Sequence, residues 1–248
     1  MKSFLITLLQ LIFTLFMYLM GSLFFGLALI PGLAVIANVW ERTLNQPFAA
    51  RLFFLGTSIS LGYLLFGFTL ILLVGSFRTL LNLRLREGNY PLFSLEAMKW
   101  ALISSLYLMI NFTFIDFILL TPFANLLFRM LGAKLGKNVQ FNSKFVFDAT
   151  LLEIGDDTVI GGGAIIIGHI VERGILRLKK VKIGKNVTIG SHSTIMPGCE
   201  IGDRAIIGAS AVLLKNTKVG EREIWFGIPA QAVRKRVHKE NQAEEESS

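Results

Sequence analysis

For proton transfer this chain offers three imidazoles, His169, His192 and His238. The ordinary pKa of an imidazole lies near neutrality, which suits it to take a proton from a hydroxyl or an amine. His169 opens a His-x-x-Glu stretch that ends at Glu172, and Asp148 lies some way upstream. A carboxylate next to an imidazole orients the ring and stabilises its charged form, so Asp148 and Glu172 are its candidate partners. Cys199 stands alone, which removes a disulfide framework or a Cys-based zinc site within one chain. Three imidazoles on one zinc would be needed for a metal hydrase, and the separation of His169, His192 and His238 argues against it.

The element that must hold these residues is a hexapeptide repeat. Ile183, Ile189, Ile195, Ile201, Ile207, Leu213 and Val219 recur every six residues, and a glycine follows most of them. That period fits neither a helix nor an alternating strand, but it does fit a left-handed parallel β-helix with three short strands per coil. Each aliphatic residue points into the prism, and the glycine beside it is expected to let the chain turn. The repeat starts at Leu135, continues through Phe141 and Phe147, slips by one residue and resumes at Ile154, Ile160 and Ile166. An inserted loop from about Gly168 to Lys182 separates it from Ile183. In this frame Asp148 and His169 both fall on the third face, on coils stacked about 4.8 Å apart, so they are expected to meet along one edge. His192 falls on another face. Asp156 and Asp157 sit at a corner and read as turn caps.

Ahead of the repeat the chain is hydrophobic in a different way. Ser3 to Trp40 and Leu52 to Phe77 carry no charge, and Ala101 to Leu120 carries only Asp116. The first run is long enough for two joined spans, so three or four transmembrane helices are expected. It is too long for a cleavable signal. Four spans strand Arg78, Arg84 and Arg86 on the outer side, against the positive-inside rule, while three with an outer N-terminus do not. Either arrangement leaves the repeat in the cytoplasm of an integral inner or plasma membrane protein. Asp116 is a functional candidate if its segment is buried in lipid. The formal charge of +8 suits anionic headgroups. Scattered basic residues without interleaved aromatics speak against nucleic acid. The divisions are therefore a helical region over 1–130, the β-helix over 131–233 and a charged tail over 234–248 that is expected to be disordered and lies outside the described residues.

Ile189-Gly190-Ser191-His192, Met196-Pro197-Gly198, Ile207-Gly208-Ala209 and Gly227-Ile228-Pro229-Ala230 resemble the signature of hexapeptide-repeat acyltransferases. Phe147-Asp148, Glu153 to Asp157, His169 to Glu172 and Trp225 resemble the membrane-embedded C-terminal region of nonribosomal peptide synthetases of the poly-lysine synthetase type. Any amide-forming chemistry is expected to use adenylation and carrier domains in trans. The resemblance implies transfer of an acyl group from a thioester of coenzyme A or carrier-protein phosphopantetheine, with no permanently bound cofactor and no metal. It implies His169 as general base, with Asp148 or Glu172 as its partner, and His192, Lys179, Lys182, Trp225 and Arg234 on substrate or coenzyme. It also implies a homotrimer with sites between subunits. Two other readings use the same residues: an amide-forming partner of a peptide synthetase acting in trans, and a trimeric docking platform without catalysis.

Overall fold

The computed structural model describes residues 2–233. Two long apolar helices lead the chain, α1 (Lys2–Arg42) and α2 (Phe48–Leu80). Expected as two joined spans, α1 is one unbroken helix about 60 Å long, running through Pro31. The reason is physical. No polar turn interrupts the run, and backbone groups in an apolar stretch are best satisfied within one helix. The two helices lie antiparallel and cross closely at Gly32 and Gly62, where a Cβ on Gly32 would come within 2.7 Å of the Gly62 carbonyl oxygen.

The third apolar run also departs from expectation. It folds as α3 (Leu95–Thr113), capped by the Ser94 side chain, then breaks into a 3₁₀ turn at Ile115–Phe117. Among the described residues only α1 and α2 are long and apolar enough to cross a membrane. One face of α3 lies instead on the repeat: Tyr107 Oη and Asn111 Nδ2 both donate to the Lys144 carbonyl oxygen, at 2.6 and 2.7 Å. Asp116 is mostly exposed and forms an ion pair with Lys144 at 2.8 Å. It is therefore not a carboxylate buried among helices.

A short helix, α4 (Pro122–Met130), follows, with Thr121 at its N-cap and Pro122 in its first turn. It is an amphipathic connector, with one face buried. Its buried residues Ala124, Leu127 and Phe128 close the first coil of the prism, with the Phe128 ring 4.4 Å from that of Phe141. A repeat domain needs such a cap, since its first coil has no neighbour on one side. The core therefore continues across residues 130 and 131, from Phe66 and Leu70 of α2 to Ile160 and beyond.

Parallel two- and three-residue strands stack into three faces. Leu135, Ile154, Ile183, Ile201 and Val219 line up on the first, and Phe141, Ile160, Ile189, Ile207 and Trp225 on the second. On the third face Val146, not Phe147, stands beside Ile166, Ile195 and Leu213. The spacing is therefore five residues before Val146 and eight after it, instead of six and seven around Phe147. Phe147 then turns outward to meet Tyr107 edge-on at 5.8 Å.

The glycines following the inward residues act differently from the turning role expected of them. Left-handed backbone falls further along each corner, on residues such as Asn138, Asp157, Asn186 and His192. Gly155 is required because a Cβ there would sit 2.6 Å from the Gly184 carbonyl carbon on the next coil. Gly155→Ala should therefore destabilise the domain by about 1–3 kcal/mol, read as a lower denaturation midpoint in urea.

The first face bears alternating charges in register, Lys134, Glu153, Lys182, Glu200 and Lys218. Lysine partners hold the Glu153 and Glu200 carboxyls below their ordinary 4.5, chiefly through hydrogen bonds from Lys134 and Lys182. A depressed folded-state pKa adds stability above the unfolded value and loses it as pH falls through the folded one. Melting temperature should accordingly fall on acidification below about pH 4.5, and Lys182→Gln should flatten that decline.

Candidate active site

Where the sequence suggested an inserted loop, the chain forms a β-hairpin arm, His169–Glu172 and Ile175–Leu178, turning at Arg173 and Gly174. Both turn residues have positive φ, the geometry of a tight two-residue hairpin. The outer strand pairs antiparallel with Gly88–Pro91 from the α2–α3 connection, making a three-stranded sheet. Leu176 and Leu178 pack with Leu85, Ala97, Ile103 and Leu151, and Trp100 lies against this cluster. The arm thus leaves the prism with a fixed direction at its base, where His169 lies.

Asp148 and His169 meet there. His169 Nδ1 is 2.6 Å from Asp148 Oδ2. An ionised carboxylate can only accept, so Nδ1–H donates and Nε2 is left as the basic nitrogen. The Asp148 side chain is 1% exposed and that of His169 26%. The ring is therefore held from the interior side and open to solvent on the other. Asp148 Oδ2 also accepts the Gly168 N–H at 2.9 Å, and Oδ1 accepts Trp100 Nε1–H at 2.9 Å. Three donors converge on one buried carboxylate. Asp148 takes left-handed backbone, φ 56°, just before a 3₁₀ turn at Ala149–Leu151. That corner is what turns its side chain towards the arm.

Other residues expected at the site lie elsewhere. Glu172 is at the tip of the arm, in an ion pair with Lys215 and 3.6 Å from Arg177. The Lys215 hydrogen bond pulls its carboxyl below the usual range. It is bound to lysine rather than to the imidazole. His192 is an exposed corner residue with φ 57°, packed over Gly163. Among the described residues no hydrogen bond joins it to His169. Lys179 donates to Asn216 Oδ1 at 2.6 Å, and Lys182 pairs with Glu200 at 3.0 Å. Trp225 is half-buried and donates to Glu223 Oε2 at 2.8 Å. Arg234 and His238 lie outside the described residues.

Cys199 is buried inside the prism, and burial pushes its thiol up to about 11. A thiol held that firmly protonated is no nucleophile near neutral pH. Asp156 accepts the Lys137 N–H and Asp157 accepts the Asn138 side-chain amide, so instead of capping their own corner the pair ties it to the neighbouring coil. Trp100 and the Gly88–Pro91 strand were missed. Trp100 offered one cue, an indole N–H at the head of an apolar run that needs a partner when packed.

Residues 180–215 match the family "Bacterial transferase hexapeptide (six repeats)". Over 162 residues the chain is 30% identical to Delta-poly-L-ornithine synthetase of Acinetobacter baumannii (strain AB307-0294), covering 63% of this chain and 12% of that protein. That stretch is longer than the repeat and the tail together, so it takes in part of the helical region. Over 102 residues the chain is 37% identical to "Putative acetyltransferase YvoF" of Bacillus subtilis (strain 168), covering 38% of this chain and 59% of that one. The chain thus spans less than two thirds of the length of either relative. Among solved structures, a maltose O-acetyltransferase of Clostridium difficile 630 matches with 20% identity and a TM-score of 0.45, over 60% of this chain and 93% of that one. The repeat is therefore similar to that of bacterial hexapeptide transferases.

Proposed function

We propose that this chain is a membrane-held acyltransferase in which His169 is the general base. The carrying observation is the Asp148–His169 pair, with Nδ1 bound to a buried carboxylate and the ring partly open to solvent. Nε2 takes the proton from an acceptor hydroxyl or amine as that oxygen or nitrogen attacks the thioester carbonyl carbon. The new C–O or C–N bond forms, the C–S bond breaks, and the departing thiolate takes the proton back from the imidazolium. Asp148 holds the ring in the tautomer that leaves Nε2 free, and steadies the positive charge while it lasts.

The donor is a thioester of coenzyme A, with carrier-protein phosphopantetheine as the alternative. Three copies pack side by side, and the cleft between neighbours receives both substrates. His192, Lys179, Lys182, Trp225 and Arg234 are assigned to its walls, the lysines exchanging their present partners for phosphate. Glu172 braces the arm through Lys215. The similarity to Delta-poly-L-ornithine synthetase, which takes in part of this chain's helical region, supports a second reading, amide formation on an amine acceptor with adenylating and carrier proteins in trans.

In this proposal α1 and α2 cross the bilayer as a hairpin and return the chain to the side from which it entered. Arg78, Arg84 and Arg86 then share a side with Arg129, Lys134 and Lys137. This removes the conflict with the positive-inside rule and puts the repeat in the cytoplasm. In right-side-out vesicles, a cysteine at Asn45 should react with an impermeant maleimide and one at Ser210 should not. Labelling at Ser210 alone would reverse the orientation. For the activity, the measurement is free thiol released from acetyl coenzyme A by the full chain in membranes, with maltose as the hydroxyl acceptor and an ornithine oligomer as the amine. Release that needs neither acceptor nor His169 would defeat the proposal.

A further inference from the structure

We infer that Trp100 of α3 is a positioning residue for the Asp148–His169 pair, so that the helical region completes the active site as well as holding it near lipid. The inference rests on His169 being the base. Trp100 meets both members at once: its Nε1–H donates to Asp148 Oδ1 at 2.9 Å, and its ring centroid is 4.7 Å from that of His169 at 55°. The indole therefore occupies the second oxygen of the carboxylate, leaving Oδ2 for Gly168 N–H and His169 Nδ1. With that oxygen free, Asp148 could rotate and offer His169 a different acceptor geometry. The indole face also limits how far the imidazole can swing.

Trp100 is itself held. Ala97 and Ile103 of the same helix are buried with Leu85, Leu176 and Leu178, which join α3 to the arm carrying His169. The Gly88–Pro91 strand pairs with the far side of that arm. Ring, carboxylate and arm therefore share one support, and displacement of α3 would shift the catalytic pair directly. A base displaced by about 1 Å loses roughly a hundredfold in rate.

Two measurements on the full chain in detergent or membranes test this. First, with Trp40 and Trp225 replaced by phenylalanine, Trp100 is the sole indole. An imidazole in contact with an indole quenches it, so His169→Ala should raise the Trp100 emission. An emission curve that His169→Ala leaves unchanged overturns the inference, whatever the protein catalyses. Second, Trp100→Phe keeps a ring beside His169 but has no N–H. With acetyl coenzyme A and the acceptors named above, kcat should fall about 10- to 100-fold, with KM for acetyl coenzyme A within about twofold. Trp100→His, which restores a ring N–H, should recover part of the loss. Wild-type kcat in Trp100→Phe, or a raised KM at unchanged kcat, overturns it. The base assignment is judged separately: if His169→Ala keeps its turnover, that assignment fails, and the fluorescence result still reports on the contact.

Discussion

His169→Ala should lower kcat by roughly 10² to 10⁴-fold, leaving KM for acetyl coenzyme A within about a factor of two. The imidazole accounts for this split. A general base acts on the proton in flight, so its loss is felt in the transition state and hardly at all in donor binding. The fold should survive the change. His169 is a partly exposed residue at the base of the arm, while Leu176 and Leu178, which anchor that arm, are untouched. The substitution does leave Asp148 short of one donor, but Gly168 and Trp100 still bind it. Steady-state thiol release from acetyl coenzyme A, with size-exclusion elution and a melting curve alongside, makes the check. Turnover within threefold of the parent would end the assignment of His169 as base.

Asp148→Asn should cost about as much in rate, roughly 10² to 10⁴-fold, and should also lower stability. An amide is nearly the size of a carboxylate, so packing is little disturbed. Its chemistry differs: one of its two ends donates. Gly168 N–H, His169 Nδ1–H and Trp100 Nε1–H all point at acceptors, two of them at Oδ2. With Nδ2 at the Oδ1 position it would face the indole N–H; at the Oδ2 position it would face the backbone and the imidazole. One buried donor is left unmet either way, costing about 1–3 kcal/mol. If the amide turns its nitrogen to His169, the ring flips tautomer to accept, and Nε2 then carries the proton it needs to be without. Asp148→Asn and His169→Ala should be far from additive, since each disables the same device. A double variant whose loss is the product of the single losses would show that the two residues act separately.

The C-terminal architecture was legible from spacing. A six-residue period with aliphatic residues at one phase permits few structures, and the first two faces of the prism follow it residue by residue. The meeting of Asp148 with His169 was also expected, because stacked coils bring one edge together however the loop is built. The third face was less legible. Phe147 and Val146 are both apolar, and hydrophobicity alone cannot say which turns inward; the Tyr107 ring on α3 takes the outward one.

The apolar N-terminal runs illustrate the limit of hydropathy. Absence of charge over Ala101 to Leu120 resembles a span, yet Tyr107 and Asn111 carry polar groups that find the Lys144 carbonyl. Whether such a helix meets lipid or protein depends on what the rest of the chain presents to it. Glu172 is similar: sequence proximity to His169 made it a candidate, but the tip of a hairpin lies far from its base, and Lys215 is what it meets.

Taken by itself, then, the amino-acid order determined the prism, the long apolar helices ahead of it and the imidazole with its carboxylate, because each depends on a local period or on neighbours one coil away. Tertiary structure alone decided that α3 lies on the prism, that Gly88–Pro91 extends the arm and that Trp100 closes the carboxylate. Those contacts join segments far apart in the chain, and long-range packing is set by which surfaces are left over once the local elements have formed.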